Sequence, residues 1–467
     1  MTGVGRPVIA SLVGKALLWR DAQTGRLSIH ELLRQYAEEA LESSGQAASV
    51  RDAHRIHFAA YTDKWSLALR DDQLNALNHL DQEYDNIVRA FEAATDIATP
   101  EAILPFTGFC KYFAIRSRLH DGARLLDAVI TAMDGRDSIA LGRLLYGRAA
   151  LAYYLYDSDT HRVHATRAIA VLRAIDETCE LPAALAEFGK TMRGNAAGQL
   201  EVTLEAVRIA ESCGDIFEVA YSSQIVGFRL RDLNRIDEAR EWTAQSHRLA
   251  QQLRNPWLQC HAAYALSHQA LAEANLVAAR RFFEETVGLA THIGFRHFVF
   301  WSLYRLYEMS LRSNDGASAK RYALDFLKNA RSVGAPDLVC ACLLAVADAC
   351  GELGAFEEAA EYMREAANAR YDSTLSMVTR LQSGGVLIAL AGFAREATGI
   401  LSVVRNQPEY AQLTALDHSR VSAGLETCRN QLGDARYEEI ATAASKKSLE
   451  QLHAELYAIL NSPPFVQ

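Results

Sequence analysis

Residues that interrupt regular secondary structure are scarce in this chain. Only 9 prolines and 27 glycines occur in 467 residues, which leaves little material for long irregular linkers. Hydrophobic residues make up 50% of the chain and charged residues 22%, so a large core can be buried. This composition predicts a globular chain that is almost entirely helical.

Signals for membrane insertion and for nucleic-acid binding are also missing. No run of 18 apolar residues occurs, and Gly14 and Lys15 break the N-terminal apolar run, which makes it a poor signal peptide. The net charge is −9, from 48 basic and 57 acidic residues, with no block rich in lysine or arginine. Because binding to duplex DNA by counterion release favours a basic face, we expect no direct DNA binding and no membrane contact. A cytoplasmic location is expected.

Cysteines with metal-binding spacing are absent. The eight cysteines lie in apolar helical contexts without a C-x-x-C motif, so we expect reduced core residues of a cytosolic protein. They are Cys110, Cys179, Cys213, Cys260, Cys340, Cys342, Cys350 and Cys428. Cys340 and Cys342 are two residues apart, and such residues on a helix point to different sides. No metal site is therefore expected.

Catalytic and nucleotide-binding motifs are missing as well. G-x-S-x-G and H-E-x-x-H do not occur, and the paired carboxylates Asp71-Asp72 and Glu357-Glu358 are interpreted as loop and helix-surface charges. A Walker A loop, G-x-x-x-x-G-K-[ST], cradles phosphates with backbone N–H groups and a lysine. Gly14-Lys15 is followed by Ala16 and lacks this pattern. We therefore expect that this chain is not an enzyme and that it alone neither binds nor hydrolyses ATP.

Residues 11–41 carry the most specific local pattern. Leu17, Leu18 and Trp19 precede the polar stretch 21–25, which ends in a glycine, and an alternating apolar and polar segment follows, so a short β-hairpin is predicted. Ser28 and Glu31 have the spacing of a capping box, which predicts a helix that starts near residue 29. Its apolar residues recur at helical spacing through residue 41.

This segment resembles the end of the winged-helix subdomain in the NB-ARC class of signal-transduction (STAND-type) ATPases, which includes bacterial transcription regulators of the antibiotic-regulator type. Ile29-His30-Glu31 occupies the position of the family's Met-His-Asp-like triplet. The segment 80–87, LDQEYDNI, is similar to the acidic segment where the family's helical repeats begin, and residues 431–439 and 448–452 resemble its ending, without the usual Trp and Gly.

The resemblance implies a role for one residue in this chain. The histidine of the family's triplet contacts the β-phosphate of bound ADP, and His30 matches that histidine. His30 would therefore contact nucleotide only if an ATPase domain supplies it, because ATP and ADP are expected only in that missing domain. In the chain alone, a solvated histidine in the first turn of a helix is the alternative interpretation.

A 40-residue period runs through the rest of the chain. Three residues after each alanine of a first lane comes a large aromatic residue, and a second lane of alanines keeps the same interval. The first lane is Ala239, Ala279, Ala319 and Ala359; the aromatics are Trp242, Phe282, Tyr322 and Tyr362; the second lane is Ala170, Ala210, Ala250, Ala290 and Ala330. Shortly after the second lane, where a helix end needs positive φ, three of the repeats carry a glycine: Gly214, Gly294 and Gly334. The equivalent position in the remaining repeat is Arg254. The pattern predicts two helices of roughly 15 residues and two short turns per repeat.

The period alone leaves open whether the repeats are tetratricopeptide-like or HEAT-like, since these have about 34 and about 40–47 residues. The small-residue lanes and the resemblance favour a longer tetratricopeptide variant, as in regulators of the maltose-activator type. We predict an all-α chain, a right-handed α-solenoid of tetratricopeptide-like hairpins that follows a partial winged-helix remnant. The predicted segments are the winged-helix part (1–45), a helical connector (46–98), the repeat solenoid (99–375) and C-terminal helical repeats or a cap (376–467).

Two segments carry more aromatic side chains than one packing face of a helix would bury, so we predict an effector groove at these segments. The strongest candidate is the helix around His297, Trp301, Tyr304 and Arg305, and a weaker one contains Tyr153 and Tyr154. Packing between repeats is the alternative interpretation of both clusters.

Two functions remain open at this point. In the first, the chain is the non-catalytic, effector-sensing repeat region of a STAND-type transcriptional regulator that lacks its ATPase core. It would bind a protein or small-molecule effector and act with an NB-ARC-type ATPase domain in cis or in trans. In the second, it is a free-standing tetratricopeptide scaffold that binds protein partners. An in-frame Walker A loop encoded upstream of Met1 would favour the first function.

Overall fold

The computed structural model describes residues 5–22, 25–191, 195–333, 336–368 and 373–466. Helices account for 81% of the structure, as expected for an all-α chain. The chain divides into two compact units, an N-terminal unit (Met1–Ala265 with Ile293–Phe295) and a C-terminal unit (Leu266–His292 with Arg296–Gln467). The division into four segments drawn from the sequence stays a prediction. In the described ranges no helix is long and apolar enough to cross a membrane.

The N-terminal segment contains the predicted hairpin. Helix α1 (Arg6–Gly14) precedes strands β1 (Trp19–Arg20) and β2 (Leu27–Ser28), which pair antiparallel with Trp19 opposite Ser28 and Arg20 opposite Leu27. The turn is closed by Asp21 N–H, which donates to the Arg26 carbonyl at 2.8 Å, and Gly25 adopts φ +70°. The hairpin prediction is therefore confirmed.

The predicted capping box of Ser28 and Glu31 is wrong. Helix α2 spans Glu31–Ser43, and its N-cap is His30, whose Nδ1 accepts a hydrogen bond from Leu32 N–H at 3.3 Å. Ser28 lies in β2, so its extended backbone belongs to the strand pair, two residues before the cap. Glu31 instead pairs with Arg34 at 2.6 Å.

The rest of the N-terminal unit is a succession of helices. They are α3 (Ala47–Ala68), α4 (Gln73–Gln82), α5 (Tyr84–Ile97), α6 (Pro100–Ile103), a 3₁₀ turn (Leu104–Phe106), α7 (Phe109–Ile115), α8 (Leu119–Ala132), α9 (Ile139–Tyr154), α10 (Ser158–Ala174), α11 (Leu181–Thr191), α12 (Ala196–Ser212), α13 (Ile216–Asp232), α14 (Ile236–Leu253) and the start of α15 (Pro256–Ala272). Consecutive helices pack as hairpins, and α7, α9, α11 and α13 also contact one another in chain order. The odd-numbered helices thus form one continuous layer.

The C-terminal unit continues with the same kind of element. Its helices are α16 (Leu276–Ile293, but for its last residue), α17 (Arg296–Arg312), α18 (Gly316–Val333), α19 (Pro336–Glu352), α20 (Phe356–Asn368), α21 (Thr374–Leu390), α22 (Ala394–Arg405), a 3₁₀ turn (Pro408–Gln412), α23 (Ala415–Leu432), α24 (Asp434–Ala444) and α25 (Leu449–Leu460). Helix α25 packs against α21, and α23 packs against both α21 and α22.

The 40-residue period is visible in the helix boundaries. Helices of 17 or 18 residues begin at Ile216, Ile236, Pro256, Leu276, Arg296, Gly316 and Pro336, and each pair forms a 40-residue repeat. All four alanines of the first lane are fully buried, as are Ala210, Ala290 and Ala330 of the second lane, and Ala250 is 1% exposed. These small residues let neighbouring helices approach closely.

One member of the second lane does not fit. Ala170 is exposed, whereas Ala165 and Ala168 are the buried alanines on that helix. Helix α10 begins at Ser158, and α12 begins 38 residues later at Ala196. This repeat is therefore two residues shorter than the 40-residue period from which Ala170 was assigned. The prediction for Ala170 is therefore wrong.

The turns between helices follow the predicted conformation. Gly214 and Gly294 have φ of +69° and +76°, and Arg254 ends α14 in the left-handed region at φ +49°. Gly334 lies outside the described residues.

The cysteines differ from the sequence expectation in one pair. Six cysteines are buried and lie outside any disulfide, as expected: Cys110, Cys260, Cys340, Cys342, Cys350 and Cys428. Cys179 and Cys213 form a disulfide, although reduced core cysteines were expected. Both lie at helix ends, Cys179 in the turn before α11 and Cys213 as the C-cap of α12, where two neighbouring hairpins bring the side chains to the surface together.

Candidate functional site

A cavity of about 310 Å³ opens in the N-terminal unit. Its walls come from the layer of odd-numbered helices, α7, α9, α11, α13 and the first turn of α15, together with the end of α3. The volume is at the lower end of the range typical of small-ligand sites, and aromatic, apolar and charged side chains all line it.

Two glycines allow the helices that form the cavity walls to pack closely against one another. A Cβ atom on Gly147 of α9 would lie 2.6 Å from Cys110 Cβ of α7, and one on Gly108 would lie 2.6 Å from Ser66 Cβ of α3. Since real carbon atoms do not approach so closely, glycine at these two positions is what allows α7 to touch both α3 and α9.

Hydrogen bonds tie the end of α3 to the start of α15. The Asn255 side-chain amide donates to the carbonyls of Leu69 and Arg70 at 2.8 and 3.0 Å, and Gln73 Oε1 accepts from Trp257 N–H at 2.8 Å. These contacts join residues more than 180 positions apart in the chain. They place Arg70 and Trp257 in the wall of the same cavity.

Arg70 holds two carboxylates of α13. Its guanidinium lies 2.7 Å from Asp215 Oδ2 and 3.3 Å from Glu218 Oε1. Asp215 is also the N-cap of α13 and accepts from Glu218 N–H at 3.0 Å. Burial raises the pKa of Glu218. Burial acts in the same direction on Asp215, but the charge of Arg70 outweighs it and lowers the pKa of Asp215.

Two further carboxylates of the cavity are also paired. Glu180 forms an ion pair with Arg143 and accepts from the Tyr146 hydroxyl at 3.0 Å. Glu187 lies 2.7 Å from Lys190 Nζ, and the Tyr221 hydroxyl donates to it at 3.4 Å. Burial raises the pKa of Tyr146, so its hydroxyl keeps its proton and acts as a donor.

Among the described residues that line the cavity, Lys111 of α7 is the cation without such a partner. Its ammonium lies 3.9 Å from the ring centroid of Phe217 and 4.8 Å from that of Trp257, and these two rings are stacked 5.9 Å apart. Within the part of the chain that the structure describes, no carboxylate lies within 4.0 Å of Lys111 Nζ. Burial lowers the pKa of Lys111 to about 8, because the apolar surroundings disfavour the charged form.

The predicted site residues fall into different units. Tyr154 is 5% exposed and lines the cavity, and Tyr153 beside it is 39% exposed with the Lys190 ammonium 4.4 Å above its ring. His297, Trp301, Tyr304 and Arg305 lie on α17 in the C-terminal unit.

The α17 residues form a cluster of their own. The rings of Trp301 and Tyr304 are 5.9 Å apart, and Tyr304 also packs 6.0 Å from Phe326 of α18. Arg305 pairs with Glu308 at 2.6 Å. His30 is exposed at the start of α2.

Sequence reasoning missed Arg70, Lys111, Phe217 and Trp257. The 40-residue register held a signal for part of this set, because positions 217, 257 and 297 are equivalent and carry Phe, Trp and His. Positions 221, 261 and 301 are likewise equivalent and carry Tyr, His and Trp. The predicted residues His297 and Trp301 thus occupy the repeat positions of Phe217, which contacts Lys111, and of Tyr221, which lines the cavity.

No family model and no curated protein matches the sequence. Solved structures are similar over most of its length. A STAND protein with a tetratricopeptide repeat sensor from Pyrococcus horikoshii is 14% identical, and the match covers 97% of this chain and 60% of that chain with a TM-score of 0.52.

Two further structures align with lower TM-scores. A Rap protein complexed with Competence and Sporulation Factor is 13% identical, covering 81% of this chain and 99% of that chain at 0.49. The apo form of the quorum sensor NprR from B. thuringiensis is 12% identical, covering 76% and 97% at 0.48. This chain spans 60% of the length of the STAND protein. At these identities the similarity concerns the fold: the chain is an all-α, tetratricopeptide-like helical array.

Proposed function

We propose that this chain is the non-catalytic, effector-sensing repeat region of a STAND-type regulator, and that the cavity of the N-terminal unit is its effector site. The cavity carries the proposal, because it combines about 310 Å³ of space with aromatic walls and charged side chains held by the repeat layer. The fold shared with a STAND protein that has a tetratricopeptide repeat sensor supports the context.

The N-terminal segment bears on the first part of this proposal, the assignment to a STAND-type regulator. None of the residues of α1 and α2 is buried, and Trp19, Leu32 and Tyr36 are 78%, 69% and 72% exposed. Large apolar side chains exposed together mark a surface for another protein. We propose that this surface contacts an ATPase domain, in cis or in trans, and that His30 at the start of α2 then meets the nucleotide.

Nucleotide binding by the chain itself is not part of the proposal. The phosphate-binding loop is missing from the sequence. Purified protein is therefore expected to retain no ATP in equilibrium dialysis, and stoichiometric ATP binding would contradict this assignment.

The effector site is tested by filling the cavity. Ala150 of α9 borders the cavity, whereas Ala170 of α10 is exposed and serves as the matched control. Wild-type protein and the variants Ala150→Phe and Ala170→Phe are incubated with the low-molecular-weight fraction of a cell extract, and retained compounds are identified by mass spectrometry. Wild type and Ala170→Phe are expected to retain the same compounds, and Ala150→Phe is expected to lose them.

Two results would contradict the proposal. Retention by the folded Ala150→Phe variant would place the effector outside the cavity. Retention of no compound by wild-type protein, with protein partners bound equally by all three proteins, would favour the free-standing scaffold.

A further inference from the structure

We propose that the cavity of the N-terminal unit binds a small organic monocarboxylate, whose carboxylate pairs with the ammonium of Lys111 while its apolar body contacts the aromatic and alkyl wall. This inference rests on the proposed effector site and names the chemistry of the ligand. It concerns one side chain and one charge.

The ammonium of Lys111 is positioned to pair with an anionic ligand. Lys111 lines the cavity, its ammonium lies over the rings of Phe217 and Trp257, and no carboxylate of the described residues lies within 4.0 Å of it. The ring faces stabilise a cation without neutralising it. An anionic ligand that enters the cavity can therefore pair with the ammonium of Lys111 without displacing a carboxylate of the chain.

The carboxylates near Lys111 already have partners. Asp215 and Glu218 are held by Arg70, and Glu180 is held by Arg143 and Tyr146. Burial raises the pKa of Glu218, although the charges of Lys111 and Arg70 oppose this. Among the described cations that line the cavity, Lys111 is therefore the one that a ligand carboxylate can approach without displacing a carboxylate of the chain.

This arrangement selects among ligand classes. To reach a carboxylate beside Lys111, an ammonium ligand would have to break an existing ion pair, and Asp63, which also lines the cavity, is exposed to solvent. A phosphate carries more charge and is best held by several forked donors, but Arg70 and Arg143 are engaged by carboxylates. One ammonium matches one carboxylate, and the remaining wall, with Leu67, Ala114 and Ala150, suits an apolar body.

The pKa of Lys111 makes this pairing sensitive to pH. The charged groups that face its ammonium are Glu218, Arg70, Asp215 and Glu180, and burial lowers its pKa to about 8. The ammonium is needed to hold a carboxylate, so affinity is full below pH 8 and falls as the pH rises above 8, by up to tenfold per pH unit. A lysine with the ordinary pKa of about 10.4 would keep the affinity nearly constant from pH 7 to pH 9.

The experiment uses a panel of probes on the full chain. Butyrate, hexanoate, 3-phenylpropionate and indole-3-acetate are titrated at pH 7 by isothermal calorimetry, each beside its neutral amide. Phenethylammonium and phenethyl phosphate test the other charge classes. At least one carboxylate is expected to bind at least tenfold more tightly than its amide and than both of those probes.

Two variants and a pH series separate a specific pair from general attraction. Lys111→Met is expected to bind the acid and the amide equally, while Lys328→Met, which removes an exposed lysine of α18, keeps the wild-type preference. In wild-type protein the affinity for the carboxylate is expected to fall between pH 8 and pH 9.5, a measurement that needs no variant.

The proposal is overturned if no carboxylate binds below 10 mM, if amides or the phosphate ester bind as tightly, or if the preference survives in Lys111→Met. The effector site itself would still stand in each of these cases if Ala150→Phe abolishes the retention of compounds that wild type retains.

Discussion

Replacing Arg420 with methionine should destabilise the C-terminal unit strongly. Arg420 of α23 lies 2.6 Å from Asp348 of α19, and their side chains are only 9% and 7% exposed. The Tyr307 and Ser383 hydroxyls also donate to Asp348, at 3.3 and 3.4 Å, so this carboxylate joins α17, α19, α21 and α23. Methionine keeps the length and apolar volume of the side chain but leaves Asp348 buried without its cation.

The expected loss follows from the burial of the pair. Removing one partner of a buried ion pair costs about 3–5 kcal/mol, because the remaining charge is left without compensation. Replacing both partners by neutral groups often costs little. Arg420→Met should therefore lower the free energy of unfolding by about 3–5 kcal/mol, and the double variant Arg420→Met with Asp348→Asn should recover most of this loss.

The pH dependence of the variant provides an independent check. Burial raises the pKa of Asp348, although the charge of Arg420 opposes this. Without Arg420 the pKa rises further, and a carboxyl whose pKa is higher in the folded state gains a proton on folding. Its contribution to stability is then present at low pH and lost as the pH rises, so the deficit of Arg420→Met should shrink between pH 8 and pH 5.

The assay is urea unfolding followed by circular dichroism at 222 nm, with the fluorescence of Trp301 as a second probe, because the other four tryptophans lie in the N-terminal unit. A loss below about 1 kcal/mol for Arg420→Met, in the range of an exposed pair, would refute the reasoning. So would a double variant that is less stable than the single one.

Three further predictions test other parts of the structure. Arg26 of the hairpin donates to Glu83 through its two terminal guanidinium nitrogens, at 2.7 and 3.2 Å. Arg26→Ala should therefore speed tryptic cleavage within residues 1–45, seen by gel, and leave the urea midpoint unchanged, seen by circular dichroism. The 34-residue separation of Cys179 and Cys213 implies that reduction lowers the unfolding free energy by about 4 kcal/mol, measured with and without dithiothreitol, and that the double serine variant no longer responds to the reductant. Asp215→Ala should be about 1 kcal/mol less stable in urea than Asp215→Asn, because asparagine still caps α13, and equal stability would contradict this role.

Local patterns in the sequence predicted local structure well. The hairpin before α2 and the buried alanine lanes were predicted because the residues that determine them lie close together or recur at a fixed interval. Ala170 was assigned by the same interval, but α10 begins 38 residues before α12, and a difference of two residues turns a side chain to another side of a helix. His30 replaced Ser28 as the cap because strand pairing took precedence over a capping spacing.

The cavity could not be predicted in this way. It depends on Asn255 and Trp257 meeting the end of α3, a contact between residues more than 180 positions apart that no period or motif encodes. In the sequence Arg70 begins the short polar stretch 70–73, and Lys111 is a lone charge in the apolar run 109–115, so neither residue indicates a shared cavity. Tyr154 was proposed as a site residue from local aromatic density, and it lines the cavity. The same reasoning ranked the aromatic residues of α17 as the stronger candidate site. The disulfide was missed for the same reason, since the two cysteines meet only after two hairpins have packed.

The location of the effector site is tested most directly by amide hydrogen exchange, measured by mass spectrometry on the full chain with and without a compound that wild-type protein retains. Protection is expected in α9 (Ile139–Tyr154) and in the first turns of α13 (Ile216–Asp232), with α17 (Arg296–Arg312) unchanged. Protection confined to α17 would contradict the cavity assignment and would favour the surface around Trp301 and Tyr304 instead.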